Sequence, residues 1–270
     1  MITFVHALWG DEIVASWPKI LRDIQWGWSW RNKPKEFKRL VFAYGKQNWR
    51  YLRQFGFKPM LLSQQPVVDF LGVGNRTADG RGTRGVFNYG ISMWEHKRHA
   101  IQTAFEQGCD EVLWLDWDTR EKSKDYSVLE QLKDGPEFQG RLRWYKNVSS
   151  AGGLREVYHG GCYYLRSPRI MEEVARIRPQ AKYVTDEVLI TWAINNFYFN
   201  SNQATPKQHL DMKFDNPILY GTRMNANKDD TVPLFFEGNM DKSQPFSTRT
   251  TNPPDQFQYY NPKLDKQDGN

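Results

Sequence analysis

The feature that most constrains this chain of 270 residues is an apolar run that ends in two carboxylates. The run from Val112 to Leu115 is uninterrupted, which is typical of a strand buried on both faces of a sheet. Asp116, Trp117 and Asp118 follow it directly. Because ligands of open α/β sheets bind outside the carboxyl ends of the strands, this pattern predicts two acidic side chains at the functional edge of such a sheet.

The spacing of these two acids predicts a metal site. Asp116 and Asp118 are separated by one residue, so their charges repel each other. A divalent cation relieves this repulsion, because Mg²⁺ and Mn²⁺ prefer carboxylate oxygens and keep coordination positions for substrate phosphates. The pair therefore predicts a metal–diphosphate site with both aspartates as ligands. The alternative is a solvated turn or a helix cap, which the same tripeptide also forms.

Strand-like and helix-like segments alternate along most of the chain. Apolar runs predict strands at residues 2–8, 40–44, 60–62, 112–115, 142–145 and 160–165, the last opened by two glycines. Helical spacing predicts helices at residues 12–25, 49–55, 92–107, 128–132, 168–177 and 186–195. This order indicates one α/β domain over residues 1–240, with a mostly parallel central sheet flanked by helices. We expect residues 241–270, which are polar, to form a loosely structured tail.

A glycine-rich segment precedes the helix before the acidic strand. Residues 72–90 contain six glycines interleaved with Arg76, Arg81 and Arg84, which predicts a long mobile loop. The arginines either contact phosphates or are incidental charges on a solvated loop.

The next helix has a start signal and a stop signal of its own. Ser92 and Glu95 form a capping box, which predicts a helix start at Ser92. Gly108 predicts the end of this helix. Lys97 lies near the predicted start.

Two later stretches also contain candidate site residues. Gly160 and Gly161 open an aromatic strand, where glycines let a ligand approach the backbone closely. Asp186 and Glu187 follow Thr185 at the first positions of a predicted helix. They are either site carboxylates or partners of the helix dipole.

Composition narrows the class of partner and the compartment. The net charge of +6 and the sequence pI of about 9.1 favour an anionic partner mildly. Cys109 and Cys162 adjoin apolar segments, which indicates buried free thiols in a reducing compartment. The chain shows no signal-peptide pattern and no apolar run near the ~20 residues that a membrane span needs. We therefore expect a cytoplasmic protein, located in the host cytoplasm if it is viral.

Four segments, in this order, resemble the GT-A family of nucleotide-sugar glycosyltransferases over roughly residues 2–215. They are the first strand at 2–8, the helix–strand–carboxylate unit at 97–118, the glycine strand at 159–165 and the acidic pair that follows Thr185. The resemblance implies a metal-dependent enzyme that moves a sugar from a nucleotide-diphosphate sugar to a hydroxyl acceptor. UDP-sugar is the expected donor.

The resemblance also implies roles for individual residues. Asp118 would bind Mn²⁺ or Mg²⁺ directly, and Asp116 would contact the ribose of the donor or the metal. Asp186 or Glu187 would contact acceptor or donor hydroxyls, and in inverting members one such acid is the general base. His209 is the candidate for the third metal ligand that family members often place near the C-terminal end.

The chemistry of glycosyl transfer suggests further contacts to the donor. Negative charge grows on the diphosphate as the glycosidic bond breaks, so nearby cations stabilise the reaction. Lys97 and Arg84 are the predicted cationic contacts. Gly160 and Gly161 are the predicted backbone contacts.

The acceptor is open at this stage, and a hydroxymethylated base in DNA, such as 5-hydroxymethylcytosine, is favoured, as in phage-type DNA glycosyltransferases. The basic pI, the arginine–glycine loop and a tryptophan-rich basic stretch at 26–39 support it, because phosphates need basic contacts and an extruded base packs on aromatic rings. The alternatives are a bacterial surface glycan or lipid-linked sugar as acceptor, a nucleotidyltransferase, or a binding protein without turnover.

Overall fold

The structure is a computed structural model that describes residues 1–9, 21, 24, 37–63, 84–144, 154, 156–177, 186–199, 206–222 and 232–237. Side chains are described for these residues except 84–94, 144, 206, 207 and 210. Four predicted features lie wholly or mostly outside the described residues: the tryptophan-rich stretch up to residue 36, residues 72–83 of the arginine–glycine loop, the tail at 241–270 and, apart from residues 21 and 24, the helix at 12–25.

Within the described residues, strands and helices alternate over 37–115, as the sequence predicts, whereas four strands follow one another over 138–165. The first half contains β1 (Ile2–Leu8), β2 (Phe37–Tyr44), α1 (Lys46–Gln54), β3 (Met60–Leu62), α2 (Arg84–Glu106) and β4 (Glu111–Leu115). The second half contains β5 (Arg120–Glu121), α3 (Ser127–Gln131), β6 (Phe138–Gln139), β7 (Leu142–Trp144), β8 (Glu156–Tyr158), β9 (Cys162–Leu165), α4 (Arg169–Ile177), α5 (Asp186–Ile194), α6 (Pro206–Asp211), β10 (Tyr220–Gly221) and β11 (Phe235–Phe236).

The central sheet has six strands in the order β3-β2-β1-β4-β9-β6. β2 and β3 are parallel, and so are β1 and β4. β9 is antiparallel to both of its neighbours, β4 and β6. A mainly parallel sheet flanked by helices confirms the predicted α/β fold class.

The chain divides into two compact units. The first comprises residues 1–5, 29–39 and 101–238, and the second comprises residues 6–28, 40–100 and 239–270. The predicted aspartate and glutamate site residues all belong to the first unit. Lys97 and Arg84 belong to the second.

β4 is the strand that the sequence identifies most directly. Every residue from Glu111 to Leu115 is buried, because β1 and β9 cover both edges of the strand. Val112 pairs with Thr3 on one side and with Leu165 on the other. The apolar run is therefore a buried interior strand, as predicted, and it directs the following residues to the carboxyl end of the sheet.

The start of α2 differs from the prediction. The helix begins at Arg84 and Ser92 lies inside it, so the helix start predicted at Ser92 is wrong. Gly85 and Gly90 also lie inside it. A glycine costs about 1 kcal/mol relative to alanine in a helix but keeps its backbone hydrogen bonds, so glycines alone do not stop a helix that contains no proline. Arg84 is accordingly a helical residue and not a loop residue.

The end of α2 agrees with the prediction. Gly108 has a φ of +81°, a left-handed conformation that glycine adopts without steric cost. Its N–H donates to the carbonyl of Phe105 and that of Cys109 donates to Ala104, at 2.9 and 3.1 Å. These bonds satisfy carbonyls of the last turn and lead the chain into β4.

β2 begins at Phe37, earlier than the predicted start at residue 40. The ring of Phe37 packs edge-on against Phe4 of β1, with 4.1 Å between ring centroids. This contact between residues far apart in sequence extends the strand.

None of the described helices is long and apolar enough to cross a membrane.

Candidate active site

The two aspartates lie in a tight turn directly after β4. The N–H of Thr119 donates to the carbonyl of Asp116 at 3.0 Å, which closes a four-residue turn. The indole Nε1–H of Trp114 donates to Asp116 Oδ1 at 2.8 Å. Trp117 is buried, whereas Asp116 and Asp118 are half-buried. The tripeptide therefore does form a turn, but one that is anchored in the core and keeps both acids at the carboxyl end of the sheet.

Gly161 holds this turn from the neighbouring strand. Its carbonyl accepts the N–H of Asp116 at 2.8 Å and the hydroxyl of Thr119 at 3.1 Å. A methyl group added at Gly161 would overlap the hydroxyl of Tyr220 and lie 3.0 Å from the ring of His159. Glycine is thus required for a close approach, as predicted, but the approaching groups are side chains of the same chain.

His159 connects the glycine strand to the end of β11. The N–H of Gly161 donates to His159 Nδ1 at 2.9 Å, so Nε2 is the ring nitrogen that carries a proton in the neutral imidazole. Nε2 lies 3.3 Å from Oε1 of Glu237. The N–H of Glu237 in turn donates to the carbonyl of Gly221 at 2.9 Å. Glu237 therefore supports the orientation of His159, and through it the position of Gly161.

Tyr220 of β10 completes the cluster. It is only 1% exposed, and its ring centroid lies 5.3 Å from that of His159. Burial, the main cause, raises the pKa of Tyr220 well above its usual value. The nearby carboxylates that also raise it are Asp118, Asp116 and Glu237. The phenol therefore stays protonated at neutral pH.

Sequence reasoning missed Glu237 and Tyr220. They lie in the part of the chain where regular periodicity fades, and neither has a motif beside it. His159 stands in the glycine motif, but nothing local assigns it a role. The only signal available from the sequence was the aromatic-rich glycine strand, which marks where these residues converge.

α5 brings the predicted acidic pair to the other glycine of the strand. Glu187 Oε1 accepts the N–H of Gly160 at 3.1 Å, and Oε2 forms an ion pair with Arg143. These contacts favour a role for Glu187 in positioning the Gly160 backbone. Asp186, the first residue of α5, is also buried. The catalytic roles of both acids stay predictions.

His209 lies in an aromatic environment. Its Nδ1 is 2.9 Å from the hydroxyl of Tyr158, and its ring contacts those of Phe199 and Phe214. Burial lowers the pKa of His209 to about 4, so its imidazole is neutral near pH 7. In the described part of the chain, no three His, Cys, Asp or Glu side chains are grouped as a complete metal site requires. The ligand role of His209 stays a prediction that these contacts do not support.

The predicted cationic contacts both lie on α2. Lys97 is only 4% exposed. For Arg84 the structure describes the backbone alone. Their contacts to a donor stay predictions.

The donor atoms at the turn suit a hard divalent cation. Asp116 and Asp118 contribute carboxylate oxygens, the ligand type that Mg²⁺ and Mn²⁺ prefer. Mg²⁺ is commonly held by one or two carboxylates, with substrate phosphates and water completing the shell. A pair of half-buried aspartates therefore fits such a cation.

Comparison with known proteins identifies the fold. No protein-family model matches the chain, and no curated protein matches its sequence. The structure is similar to the crystal structure of mouse xyloside xylosyltransferase 1 in its apo form, with a TM-score of 0.52, 10% identity, and coverage of 88% of this chain and 97% of that chain. The chain has the GT-A fold. At this identity, the similarity establishes the fold alone.

Two further solved structures are more distant. One is the galactosyltransferase LgtC in complex with donor and acceptor sugar analogues, with a TM-score of 0.44, 12% identity, and coverage of 88% of this chain and 87% of that chain. The other is a glycosyltransferase involved in the glycosylation of the major capsid of PBCV-1, with a TM-score of 0.43, 12% identity, and coverage of 91% and 97%.

Proposed function

We propose that this chain is a metal-dependent glycosyltransferase that moves a sugar from a nucleotide-diphosphate sugar to a hydroxyl acceptor. UDP-sugar is the donor that we expect. The observation that carries the proposal is the turn from Asp116 to Thr119, held by the carbonyl of Gly161 at the carboxyl end of a central strand in a GT-A fold.

Asp116 and Asp118 are the residues that would hold Mn²⁺ or Mg²⁺. When bound, the cation supplies Lewis-acid stabilisation of the charge that grows on the diphosphate leaving group. The chain itself holds the Asp116 carboxylate through Trp114 and the turn through Gly161 before substrate arrives. Such preorganisation lowers the reorganisation needed during the reaction.

The general base, if the enzyme inverts configuration, is proposed among the acids of α5. A base must lie within ~3 Å of the acceptor hydroxyl, directly or through one water. Asp186 and Glu187 are both candidates, and Glu187 also bonds Gly160 and Arg143. Glu187 would then position the glycine backbone beside the donor.

The proposed acceptor is a hydroxymethylated base in DNA. The net charge of +6 supports it, because phosphate contacts depend on basic side chains. A bacterial surface glycan or lipid-linked sugar is the alternative acceptor for the same chemistry.

The test is mass spectrometry of nucleosides from 5-hydroxymethylcytosine DNA that has been incubated with the protein, Mn²⁺ and pooled nucleotide sugars. We expect a mass gain of one hexose or pentose that disappears in EDTA and with Asp118→Asn. A gain that persists in EDTA would contradict the metal site. No gain on DNA, combined with sugar transfer to a glycan acceptor, would replace the DNA proposal.

The released nucleotide distinguishes the remaining classes of function. Metal-dependent release of nucleoside diphosphate supports the glycosyltransferase. Release of pyrophosphate would indicate a nucleotidyltransferase. Binding without release of either product would indicate a nucleotide-sugar or nucleic-acid binding protein.

A further inference from the structure

We propose that Tyr220 is a ligand-binding residue of this site, and that its hydroxyl donates a hydrogen bond to a diphosphate oxygen of the nucleotide-sugar donor. The proposal rests on the function proposed above and adds a residue that no motif identifies. It depends on where the hydroxyl lies, on what it does in the free protein and on how rigidly it is held.

The hydroxyl of Tyr220 lies beside Gly161, next to the aspartate turn. It approaches the α-carbon of Gly161 so closely that any side chain there would overlap it. Gly161 is the residue whose carbonyl holds the turn of Asp116. Asp116, Asp118 and Glu237 are all close enough for their charges to affect the phenol. A diphosphate held at the two aspartates would therefore lie beside this hydroxyl.

This hydroxyl makes no hydrogen bond to any described residue. Native structures pair most polar groups that are removed from water, whereas an unpaired hydroxyl that water or a ligand can reach costs little. Three other tyrosines of the same unit do have such partners: Tyr158 is paired with His209, Tyr164 donates to Glu111 and Tyr126 donates to Glu121. The unused donor of Tyr220, in a site lined by acids, is therefore available to a ligand.

The chemistry of the ligand follows from the groups around the hydroxyl. Carboxylates only accept hydrogen bonds, and Asp116 and Glu237 already interact with Trp114 and His159. A diphosphate also offers only acceptors and would be repelled by the acids. A neutral O–H among them supplies a donor without a further charge. Diphosphate oxygens are therefore the partners that this donor fits.

The backbone around Tyr220 holds the ring in place. β10 pairs with β11, with Tyr220 opposite Phe235. A methyl group at Gly221 would lie 2.7 Å from Pro233 and 2.8 Å from Phe236, so the two strands are in close contact. A hydroxyl on such a support loses little freedom when a ligand binds, which favours affinity.

The test compares two variants that each remove one hydroxyl. Tyr220→Phe keeps the ring, and because its hydroxyl has no partner in the free protein, we expect an unchanged or slightly higher melting temperature. Binding of nucleoside diphosphates (UDP, ADP, GDP, CDP and dTDP) with Mn²⁺ is measured by calorimetry. For the diphosphate that binds the wild type, we expect a Kd raised about tenfold or more, the range for hydrogen bonds to charged groups.

Tyr164→Phe is the matched control. Its hydroxyl bonds Glu111 at the opposite end of β4 from the aspartate turn. This variant should lower the melting temperature and leave the Kd unchanged.

Three outcomes would overturn the proposal, and they are distinguishable. If Tyr220→Phe binds the diphosphate with wild-type affinity, the role of Tyr220 is wrong while the proposed function stands. If Tyr220→Phe lowers the melting temperature as Tyr164→Phe does, the hydroxyl has a structural role. If the wild type binds none of the five diphosphates with Mn²⁺, the proposed function fails and the role of Tyr220 fails with it.

Discussion

Asp118 is the single residue on which the proposed chemistry depends most. Replacement of Asp118 by Asn should abolish sugar transfer, because one of the two carboxylate ligands is lost. The melting temperature without metal should stay near that of the wild type or rise, since the substitution removes the repulsion between Asp116 and Asp118. Initial rates and thermal unfolding in EDTA measure both effects.

Asp110→Asn is the control for this prediction. Asp110 precedes β4 at its amino end, and its side chain is 84% exposed. Its replacement should leave the transfer rate unchanged. An Asp118→Asn protein that keeps wild-type activity would show that the aspartate pair is a structural turn only.

The replacement of Gly161 tests whether the close packing at this residue supports both the stability and the activity of the protein. Gly161→Ala places a methyl group against the hydroxyl of Tyr220, so we expect a loss of about 1–3 kcal/mol in the free energy of unfolding, the usual cost of overpacking. Transfer activity should fall as well, because the carbonyl of Gly161 holds the Asp116 turn.

The double variant Gly161→Ala/Tyr220→Phe tests the cause of that loss. It lacks the atom that overlaps, so it should regain part of the stability in urea unfolding. Additive losses in the double variant would mean that the two groups do not interact.

At the scale of elements, a hydrogen bond between β4 and β9 makes the free energy of unfolding depend on pH. The carboxylate of Glu111 accepts a hydrogen bond from Tyr164 Oη at 2.5 Å. Burial acts to raise the pKa of Glu111, but this hydrogen bond and the Met1 amino group outweigh burial and lower it below 4.5. Because the pKa of this carboxyl is lower in the folded than in the unfolded state, the group stabilises the fold at pH values above its unfolded-state pKa. This stabilisation is lost as the pH falls through the folded-state pKa.

Glu111→Gln should therefore reduce the free energy of unfolding at pH 7 by about 1–3 kcal/mol, the range for a hydrogen bond to a charged group. The difference from the wild type should shrink below pH ~4.5, where the wild-type carboxyl also begins to take up a proton. Urea unfolding at pH 7 and pH 3.5 measures this. A difference that is the same at both pH values would contradict the assignment.

α5 shows how an element joins two parts of the site. Glu187 bonds Gly160 through its side chain, while its carbonyl accepts the hydroxyl of Thr191 at 2.7 Å. The same Thr191 oxygen accepts the N–H of Tyr158 at 2.9 Å. The helix is therefore bonded to the strand segment on both sides of His159, which explains why an acidic pair at its start also has a positioning role.

At the scale of the whole molecule, the excess of basic residues makes a prediction about salt. If DNA is the acceptor, binding releases counterions, so affinity for hydroxymethylated duplex DNA should fall steeply between 50 and 200 mM salt, by about 10³-fold or more for six or more phosphate contacts. Fluorescence anisotropy across this range measures the slope. The control is binding of nucleoside diphosphate, whose weaker salt dependence separates donor binding from acceptor binding. Transfer to a neutral sugar at a rate insensitive to salt would favour the glycan acceptor.

The sequence alone predicts the parts of the fold that depend on local pattern. β1, β3 and β4 follow from short apolar runs, and the end of α2 follows from Gly108, whose left-handed backbone is a property of that residue. The start of α2 was mispredicted, because weak local signals, a capping box and several glycines, do not decide where a helix begins.

What only the tertiary structure decided is the environment of the two aspartates. The sequence places Asp116 and Asp118 after a buried strand, because burial and strand direction are readable from consecutive residues. Tyr220 and Glu237 come to the same place through the pairing of β10 with β11 and through the contact of His159 with Gly161. These contacts join residues separated by tens of positions, and no local pattern encodes such a distance. The sequence by itself therefore determined that the two aspartates lie at the end of a buried strand, and the tertiary structure determined which groups surround them.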